Sequence, residues 1–280
     1  MTLRTRFAPS PTGPLHLGHA FSAITAHDMA RAAGGQFLLR IDDIDQSRAR
    51  PDWEELIYED LSWLGLTWDE PPWRQSEHLS DYRAAVEHLA GRGLCYPCSC
   101  SRRDIAEAAS APQEGTPEFG PDGRIYPGTC RGRPMSDWTE GMAIRLDLAK
   151  ALPDLDVTFT ETGPAHPGAH RVTLDTLLAQ VGDPVLARPH MAASYHLSVV
   201  LDDAAQAISH VIRGEDLFDA TQLQRALQAL LGLPTPTYHH HRLIRDEAGK
   251  RLAKRDDARA IRHYREDGAS PDDIRRMVGL

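Results

Sequence analysis

A parallel β-sheet flanked by helices, an α/β fold, is predicted by three observations on this 280-residue sequence. Residues 3–41 read as strand, turn, helix and strand, a βαβ unit whose two strands run parallel. Later β-rich segments are again separated by segments with apolar residues at helical spacing. Hydrophobic residues make up 41% of the chain and charged residues 25%, which is typical of a chain that buries a core as one large domain or two small ones.

The βαβ unit begins with a strand predicted at residues 3–8. A helix is expected at about 17–33, because small or apolar residues recur there at helical spacing, and Gly34-Gly35 can end it in the left-handed conformation. Residues 36–41, Gln-Phe-Leu-Leu-Arg-Ile, form a pattern that is typical of a buried strand. A ligand is expected at the carboxyl ends of these parallel strands.

Pro51 marks the start of the next helix, because the first helical turn needs no N–H donor at that position. Trp53, Ile57, Leu61 and Leu64 then form one apolar face. The remaining predicted elements follow in order: a helix at 80–92, an irregular Pro- and Gly-rich insertion at 101–129, short strands at 142–148, 157–159, 195–201 and 207–212, a helix at 219–231, and one or two small helices in 260–280.

No apolar run reaches the ~18 residues that a membrane-spanning helix needs, and the chain does not start with the apolar segment of a signal peptide. A cytoplasmic protein without membrane contact is therefore expected. The net charge of −9 argues against a protein that coats nucleic acid nonspecifically. Basic residues do cluster between Arg242 and Arg265, either as a local binding face or as an ordinary solvated helical surface.

The cysteines are Cys95, Cys98, Cys100 and Cys130, and the first three crowd into six residues. In a reducing compartment this spacing favours a metal site over a disulfide. Thiolates suit zinc, and Cys95-x-x-Cys98 is a usual zinc spacing. Reduced cysteines without a metal are the alternative.

Two segments far apart in the chain carry the features of a nucleotide phosphate site. The first runs from Arg6 through a Pro/Gly turn to His16-Leu-Gly-His19, where a helix N-terminus attracts anions through its N–H groups and its dipole. His16 and His19 share one helix face, and Gly18 allows close approach of a ligand to the backbone. The second is Arg251-Leu-Ala-Lys-Arg255, whose lysine suits a phosphate. Two histidines at this spacing also occur as packing or surface residues.

The tract His239-His240-His241 does not predict a metal site. Successive side chains of an extended segment point to opposite faces, so three consecutive imidazoles cannot all face one ion. His240 or His241 is expected to lie near the nucleotide instead.

The motifs together resemble the class I aminoacyl-tRNA synthetases of the glutamyl form. Arg6-Phe-Ala-Pro-Ser-Pro-Thr-Gly with His16-Leu-Gly-His19 is similar to the family's His-Ile-Gly-His signature, and Phe-Leu-Leu-Arg-Ile-Asp-Asp-Ile-Asp at 37–45 resembles its next strand. Ile212-Arg-Gly-Glu-Asp-Leu217 and Arg251-Leu-Ala-Lys-Arg255 resemble later motifs, the last being its Lys-Met-Ser-Lys-Ser loop. The match runs in the right order from Arg4 to about Arg255. Motifs in register are far more specific than any one of them alone.

The resemblance implies that the chain adenylates glutamate with ATP and magnesium. His16, Gly18, His19, Arg251 and Lys254 would bind ATP, with His16, His19 and Lys254 as the catalytic groups. The attacking carboxylate is already ionised, so the reaction needs positioning and charge stabilisation and no general base.

For the amino acid, the resemblance points to Arg6, Ser10, Asp42, Tyr195 and Arg213. Guanidinium forks suit the two carboxylates of glutamate, and a carboxylate suits its ammonium group. Considered alone, Arg213 also fits a surface ion pair, and Tyr195 also fits a core position. The family commonly has glutamate where this chain has the shorter Asp42, which fits either direct contact with the ammonium group or contact through a water.

Cys98-Ser-Cys100 with Tyr126-Pro-Gly-Thr-Cys130 resembles the zinc site of short glutamyl synthetase-like proteins. The resemblance implies Cys98, Cys100, Tyr126 and Cys130 as the ligands of one structural zinc ion, with Cys95 as the competing ligand. Such an ion would hold the insertion in place and take no part in the chemistry.

Only residues 255–280 follow Lys254, which leaves no room for the large helical anticodon-binding region of a discriminating glutamyl-tRNA synthetase. The chain instead resembles the glutamyl-queuosine tRNA(Asp) synthetase family, a catalytic core that activates glutamate without tRNA and esterifies queuosine in the anticodon loop of tRNA(Asp). Two alternatives stay open. One is a truncated glutamyl-tRNA synthetase that charges the acceptor end, and the other is a noncatalytic regulator that binds tRNA or nucleotide.

These features predict a Rossmann-type parallel-sheet core in two halves, residues 1–94 and 195–240. A zinc-bearing connective α/β insertion at 95–194 interrupts the core, and a lysine-loop and helical segment at 241–280 follows it. No anticodon-binding domain is expected, and the protein is expected to be a monomer.

Overall fold

The computed structural model describes residues 2–109, 119–120, 123–245 and 259–280. Within these ranges the α-helices are α1 (Leu17–Ala32), α2 (Pro51–Trp63), α3 (Leu79–Gly91), α4 (Arg102–Ala109), α5 (Leu148–Ala151), α6 (Leu174–Gln180), α7 (Tyr195–Ala205), α8 (Ala220–Leu231), α9 (Ile261–Glu266) and α10 (Pro271–Val278). The strands are β1 (Arg4–Phe7), β2 (Gln36–Ile41), β3 (Trp73–Arg74), β4 (Cys95–Cys98), β5 (Phe119–Gly120), β6 (Gly123–Arg124), β7 (Ala143–Leu146), β8 (Asp156–Glu161), β9 (Gly168–Thr173), β10 (Val185–Ala187), β11 (His210–Gly214) and β12 (Thr237–His241).

A mostly parallel sheet forms the centre of the fold. β1 pairs in parallel with β2, and β2 pairs in parallel with β3. β11 pairs in parallel with β12, and β12 with β8, whose other edge carries β9 antiparallel. The two groups adjoin, because the Ser209 N–H just before β11 donates to the Arg4 carbonyl of β1 at 3.1 Å. The carboxyl ends of β1, β2, β11 and β12 therefore come together at one edge of the sheet.

A second, antiparallel sheet consists of β4, β7 and β10, with β7 in the middle. It lies in the segment predicted as the connective insertion, which also contains α4 and the short hairpin β5–β6. β8 and β9 come from the same segment but join the sheet of β11 and β12. The division of the chain near residues 95 and 195 stays a prediction.

The predicted βαβ unit is confirmed as β1, α1 and β2. Gly34 follows α1 with a φ of +60°, the left-handed conformation that favours glycine. Pro51 occupies the first turn of α2, where its missing N–H donor costs no hydrogen bond. The helices predicted at 80–92 and 219–231 are α3 and α8, and the small C-terminal helices are α9 and α10.

The prediction of a strand at 195–201 is wrong, because this segment is the first part of α7. The Ser194 hydroxyl caps the helix by accepting the Leu197 N–H at 3.5 Å, so capping outweighs the β preference of Val199 and Val200. The strand predicted at 207–212 begins later, at His210, after a residue with a positive φ. The insertion predicted as irregular at 101–129 contains α4 and the β5–β6 hairpin.

Apolar side chains between α1, α2 and the sheet hold the first strand–turn–helix in place. Leu15, Ile24, Phe37 and Leu61 are 0% exposed in this cluster. Burying each of them stabilises the fold by about 1.5–3 kcal/mol. Of the helices in the described ranges, none combines the length and the apolar character of a bilayer-crossing segment.

Candidate active site

An open cleft with a cavity volume of about 370 Å³ lies at the carboxyl ends of β1, β2, β11 and β12. Ligands bind at this edge in open parallel sheets. Residues predicted for the site line this cleft together: Arg6, His16, Gly18, His19, Asp42, Tyr195 and Arg213. The fold thus gathers side chains from widely separated parts of the sequence into one cleft.

His16 and His19 hold each other at the N-terminus of α1. The His16 Nδ1 accepts the Gly18 N–H at 3.1 Å, and the His19 Nδ1 accepts the His16 N–H at 3.2 Å. This reciprocal cap satisfies two N–H groups at the helix start, and the ring centroids lie 3.8 Å apart. Because both Nδ1 atoms accept, each neutral ring carries its proton on Nε2, where it can be donated to a phosphate oxygen.

Gly18 is required by the position of the His16 ring. A Cβ atom at residue 18 would lie 2.9 Å from Cε1 and 3.1 Å from Nδ1 of that ring. Any side chain here would therefore push the imidazole away from its cap.

Beneath the cleft, two buried arginines share one carboxylate. Arg6 donates to Asp203 from Nε at 2.9 Å and from Nη2 at 3.3 Å, and Arg40 donates to the same carboxylate from Nη1 at 2.6 Å. Arg40 also donates from Nε to Asp42 at 2.8 Å, and this Nε lies 3.7 Å from Oδ2 of Asp202. The carboxylates of this cluster outnumber its guanidinium groups, and the surplus negative charge favours an ammonium group.

The carboxylates of this cluster differ in their pKa values. Burial raises the pKa of Asp42 to about 6, although the Arg40 guanidinium acts in the opposite direction. Burial also acts to raise the pKa of Asp203, but Arg6 and Arg40 together hold that pKa below its usual range. Asp203 is therefore a permanent counter-ion of the arginines, whereas Asp42 titrates close to neutrality and gains from a bound cation.

Arg213, in β11, is fixed through two of its nitrogen atoms. Its Nε donates to Nε2 of His240 at 3.0 Å, and its Nη2 donates to Oγ1 of Thr221 at 2.8 Å. Its Nη1 is buried and has no hydrogen-bond partner in the described part of the chain. Arg213 is 5% exposed, which excludes the surface ion pair considered above. Arg213 lines the cleft, and a guanidinium held in this way is suited to a ligand carboxylate.

The other predicted residues occupy different surroundings. Tyr195 begins α7 and is 37% exposed, which excludes a core position for it. Ser10 is exposed on the loop after β1 and is not among the described residues that line the cleft. His241 lines the cleft, and its Nδ1 donates to the Arg242 carbonyl at 2.9 Å, which leaves Nε2 as an acceptor.

Arg251 and Lys254 lie outside the described residues, but both flanks of their segment lie at the cleft. Leu243 and Ile244 line it on one side. On the other side, Ala260 forms a β-bridge with His16, and the Ile261 N–H donates to the Leu15 carbonyl at 2.8 Å. The chain therefore leaves and re-enters the described structure beside the imidazoles of α1.

The cysteine cluster lies away from the cleft, next to the antiparallel sheet. The Sγ atoms of Cys98, Cys100 and Cys130 all lie within 4.8 Å of one another, and the Tyr126 hydroxyl lies 3.4 Å from Sγ of Cys98 and 3.6 Å from Sγ of Cys100. A tetrahedral zinc ion with Zn–S bonds of about 2.3 Å places its sulfur ligands about 3.8 Å apart. Burial raises the pKa of Cys130, but hydrogen bonds from Tyr126 and the backbone outweigh it and lower that pKa to about 7. The donor set fits one zinc ion.

Cys95 does not belong to this cluster. It is separated from Cys98 by an odd number of strand positions, so the two side chains point to opposite faces of β4. Cys95 packs in the main hydrophobic core, where burial raises its pKa to about 12. The geometry therefore favours Tyr126 over Cys95 as the fourth group near the thiols.

Arg40 and Asp203 were not predicted as site residues. Arg40 is 0% exposed and interrupts the apolar run at 37–41, and a charge in such a run is a sequence signal for a buried partner. That partner, Asp203, lies 163 residues further along the chain. Nothing local to either residue indicates the pairing.

Comparison with known proteins gives a consistent result. A family model described as tRNA synthetases class I (E and Q), catalytic domain, matches residues 2–121 and 169–280. The Glutamyl-Q tRNA(Asp) synthetase of Rhodobacter capsulatus is 63% identical over 281 residues, covering 99% of each chain. A protein of the same name from Symbiobacterium thermophilum is 41% identical, over 96% of this chain and 83% of its own.

Solved structures share the fold. A glutamate tRNA ligase from Elizabethkingia meningosepticum, in complex with its amino acid, matches with a TM-score of 0.76 at 28% identity, over 100% of this chain and 61% of its own. A Mycobacterium tuberculosis methionyl-tRNA synthetase, in complex with methionyl-adenylate, matches with a TM-score of 0.62 at 14% identity, which is a likeness of fold alone. This chain covers 63% of that structure, so it spans less than two thirds of either one.

Proposed function

The chain belongs to the class I tRNA synthetases of the glutamate and glutamine type, and from this premise we propose that it activates L-glutamate with ATP without tRNA and then transfers it to queuosine in the anticodon loop of tRNA(Asp). The carrying observation is that two helix-capping imidazoles and buried arginines line the same cleft. The choice of acceptor rests on the relative of matching length that bears the name Glutamyl-Q tRNA(Asp) synthetase. ATP acts with magnesium as co-substrate.

Adenylation joins a carboxylate oxygen of glutamate to the α-phosphorus of ATP and releases pyrophosphate. The nucleophile is already ionised, so the site must align the two reactants and stabilise charge on the phosphate oxygens. The N-terminus of α1 offers this stabilisation through its dipole and through the Nε2–H groups of His16 and His19. The reciprocal cap fixes both rings through contacts at the start of α1, which lowers the cost of organising the site.

The charged side chains of the cleft indicate how glutamate would bind. Arg213 lines the cleft and offers its guanidinium to one carboxylate, and Arg6, held by Asp203, lines the same cleft. Asp42 provides the negative charge for the ammonium group, and Tyr195 lies at the cleft rim with an exposed side chain. Ser10 stays a proposed glutamate-binding residue, and it lies on the loop after β1.

Lys254 is proposed to hold the triphosphate from the other side, with Arg251 nearby. The segment that carries them is joined to Ala260, which pairs with His16. Six residues of fully extended chain span at most about 21 Å, so the Lys254 side chain has the reach to meet a phosphate over α1.

Zinc is proposed as a structural ion held by Cys98, Cys100, Cys130 and Tyr126. Its role would be to pin α4 and the β5–β6 hairpin to the antiparallel sheet. The thiols lie outside the cleft lining among the described residues, so zinc chemistry takes no part in the proposed reaction. A monomeric state stays a prediction.

The test of this function is transfer of radiolabelled glutamate to tRNA(Asp) with and without queuosine. We expect labelling of the queuosine-containing tRNA alone, and expect that mild base releases the label from the anticodon loop. Labelling of the acceptor end of tRNA(Glu) would instead identify a truncated glutamyl-tRNA synthetase. Nucleotide or tRNA binding without any transfer would identify a noncatalytic regulator.

A further inference from the structure

A chain of three buried side chains crosses neighbouring strands directly behind the cleft. Glu161 ends β8, His240 lies in β12 and Arg213 lies in β11, where its Cα pairs with that of His240. The His240 Nδ1 lies 2.5 Å from Oε2 of Glu161, and its Nε2 accepts the Arg213 Nε–H at 3.0 Å. Each of the three is at most 5% exposed.

Glu161 is held in the ionised form. Its Oε1 accepts the Gly163 N–H at 2.5 Å and the His240 N–H at 2.9 Å. Burial raises the pKa of Glu161, but these N–H donors and the His240 side chain outweigh burial and hold that pKa below its usual range. The ionised carboxylate leaves Oε2 as an acceptor for the imidazole.

The two neighbours of His240 allow only one neutral tautomer. Glu161 accepts at Nδ1, and the Arg213 Nε–H, which always carries its proton, donates at Nε2. Burial and the positive charge of Arg213 lower the pKa of His240 to about 4, so the ring is neutral at physiological pH. Nδ1 therefore carries the proton and Nε2 carries the lone pair.

This arrangement determines which way Arg213 faces. His240 takes its Nε, Thr221 and the Leu217 carbonyl take its Nη2, and Nη1 is left without a partner among the described residues. We propose that Glu161 is a positioning residue for glutamate binding, because it fixes the His240 tautomer that orients the Arg213 guanidinium in the cleft lining. The inference rests on the proposed activation of glutamate, in which Arg213 binds a substrate carboxylate.

The test is the Glu161→Gln variant, which changes one oxygen into a donor. Its amide oxygen can keep the bonds from Gly163 and His240 N–H only if its NH₂ group faces the imidazole. The imidazole then accepts at Nδ1 and carries its proton on Nε2, where it opposes the Arg213 Nε–H. We expect the KM for glutamate in RNA-free pyrophosphate–ATP exchange to rise about 10- to 100-fold, the loss expected for one charge-assisted hydrogen bond, with the KM for ATP unchanged.

Thr162→Val is the matched control. Thr162 follows Glu161, and its hydroxyl contacts His239 at 3.0 Å on the exposed side of the sheet. The control removes this contact and the hydrogen bond from the same hydroxyl to the Tyr238 carbonyl at 3.1 Å, and neither contact involves Arg213, so we expect wild-type KM values. A control that raises the glutamate KM as much as Glu161→Gln would overturn the inference.

A double-mutant cycle separates orientation of Arg213 from general damage. In an Arg213→Lys background, Glu161→Gln should change the glutamate KM by less than about twofold, because the group that Glu161 orients is already gone. An equal rise in both backgrounds, or no rise in the wild-type background, contradicts the proposal. If wild type itself shows no glutamate-dependent exchange, the proposed function fails instead.

The tautomer provides a readout that does not depend on activity. In ¹⁵N-histidine-labelled protein, long-range ¹H–¹⁵N spectra should show His240 protonated on Nδ1 in wild type and on Nε2 in Glu161→Gln. Wild-type protein with the Nε2-protonated ring overturns the inference even if the variant fails to fold.

Discussion

Arg40 donates from Nε to Oδ1 of Asp42 at 2.8 Å, while the same guanidinium is bound through Nη1 to Asp203. Asp42 is therefore a short carboxylate that is anchored from within the core. Asp42 keeps a fixed position and a charge that depends on pH, which suits it to an ammonium group placed directly on it or one water away.

The first prediction concerns this titration. Since the pKa of Asp42 is about 6, lowering the pH through that value removes the negative charge that attracts the ammonium group. The KM for glutamate should rise toward tenfold per pH unit below about pH 6, while the Asp42→Asn variant starts with a high KM and shows no such rise. The measurement is RNA-free exchange at several pH values, with the KM for ATP as the control for nucleotide titration. A wild-type KM that is flat down to pH 5 speaks against the assignment.

The titration of Asp42 also predicts an effect on folding stability. Glutamate binding should improve as the pH rises, whereas the stability of the fold should fall. The folded pKa lies above the unfolded value of 3.8, so the folded state binds more protons between the two values, and stability falls as the pH rises through this window. Asp42→Asn should therefore raise the Tm at neutral pH, and the gain should shrink toward pH 4. Thermal unfolding of both proteins across this range measures it, and a Tm loss that is largest at neutral pH would contradict it.

A second cleft prediction concerns Gly18. Gly18→Ala forces the His16 ring to move from its cap, because the new Cβ would lie 2.9 Å from it. Exchange should fall by about 10-fold or more, in line with overpacking costs of 1–3 kcal/mol, chiefly through the KM for ATP. Gly91→Ala is the control, since a Cβ there meets nothing within 4 Å at the end of α3. Equal activity of the two variants would contradict the claim that a side chain at residue 18 displaces the His16 ring.

Zinc content tests the cysteine cluster. Purified protein should contain one zinc ion, and Cys130→Ser should lose it and lower the Tm, because the thiolate has no replacement of equal softness. Cys95→Ala should keep the zinc, since Cys95 packs in the main core on the other face of β4. Metal loss in Cys95→Ala with metal retained in Cys130→Ser would reverse the ligand assignment.

Lys254 provides the sharpest kinetic prediction. Removal of one charge-stabilising donor from a transition state costs about 10²–10³ in rate, so Lys254→Ala should lower the exchange rate by that factor with little change in the KM for glutamate. Lys150→Ala, on the exposed end of α5, serves as the control and should retain wild-type kinetics. Unchanged turnover in Lys254→Ala would refute the role of the lysine.

The imidazole side of the cleft was predictable because its signals are local. His16, Gly18 and His19 lie in one helical turn after a Pro/Gly loop, and the βαβ pattern places them at a sheet edge. The support for the site was not predictable in this way. Glu161 and His240 are 79 residues apart, and no residue near Glu161 indicates that it meets an imidazole.

The α7 segment shows that a local sequence pattern can also predict the wrong conformation. Val199 and Val200 have β preference, yet the Ser194 cap and burial against the core make the segment helical. Tyr195, which the resemblance assigns to the glutamate site, lines the cleft, while the local structure of its segment was predicted wrongly. A residue's place in a motif and the conformation of its segment are therefore separate inferences.

Glutamate-dependent exchange of pyrophosphate into ATP, measured with purified protein and no RNA, tests the central claim most directly. The imidazole cap and the buried arginine–carboxylate cluster are held by contacts within this chain, so exchange should proceed at full rate without RNA and stay unchanged when tRNA is added. Exchange that begins only after tRNA addition, or nucleotide binding with no exchange at all, would contradict an active site that is complete in this chain.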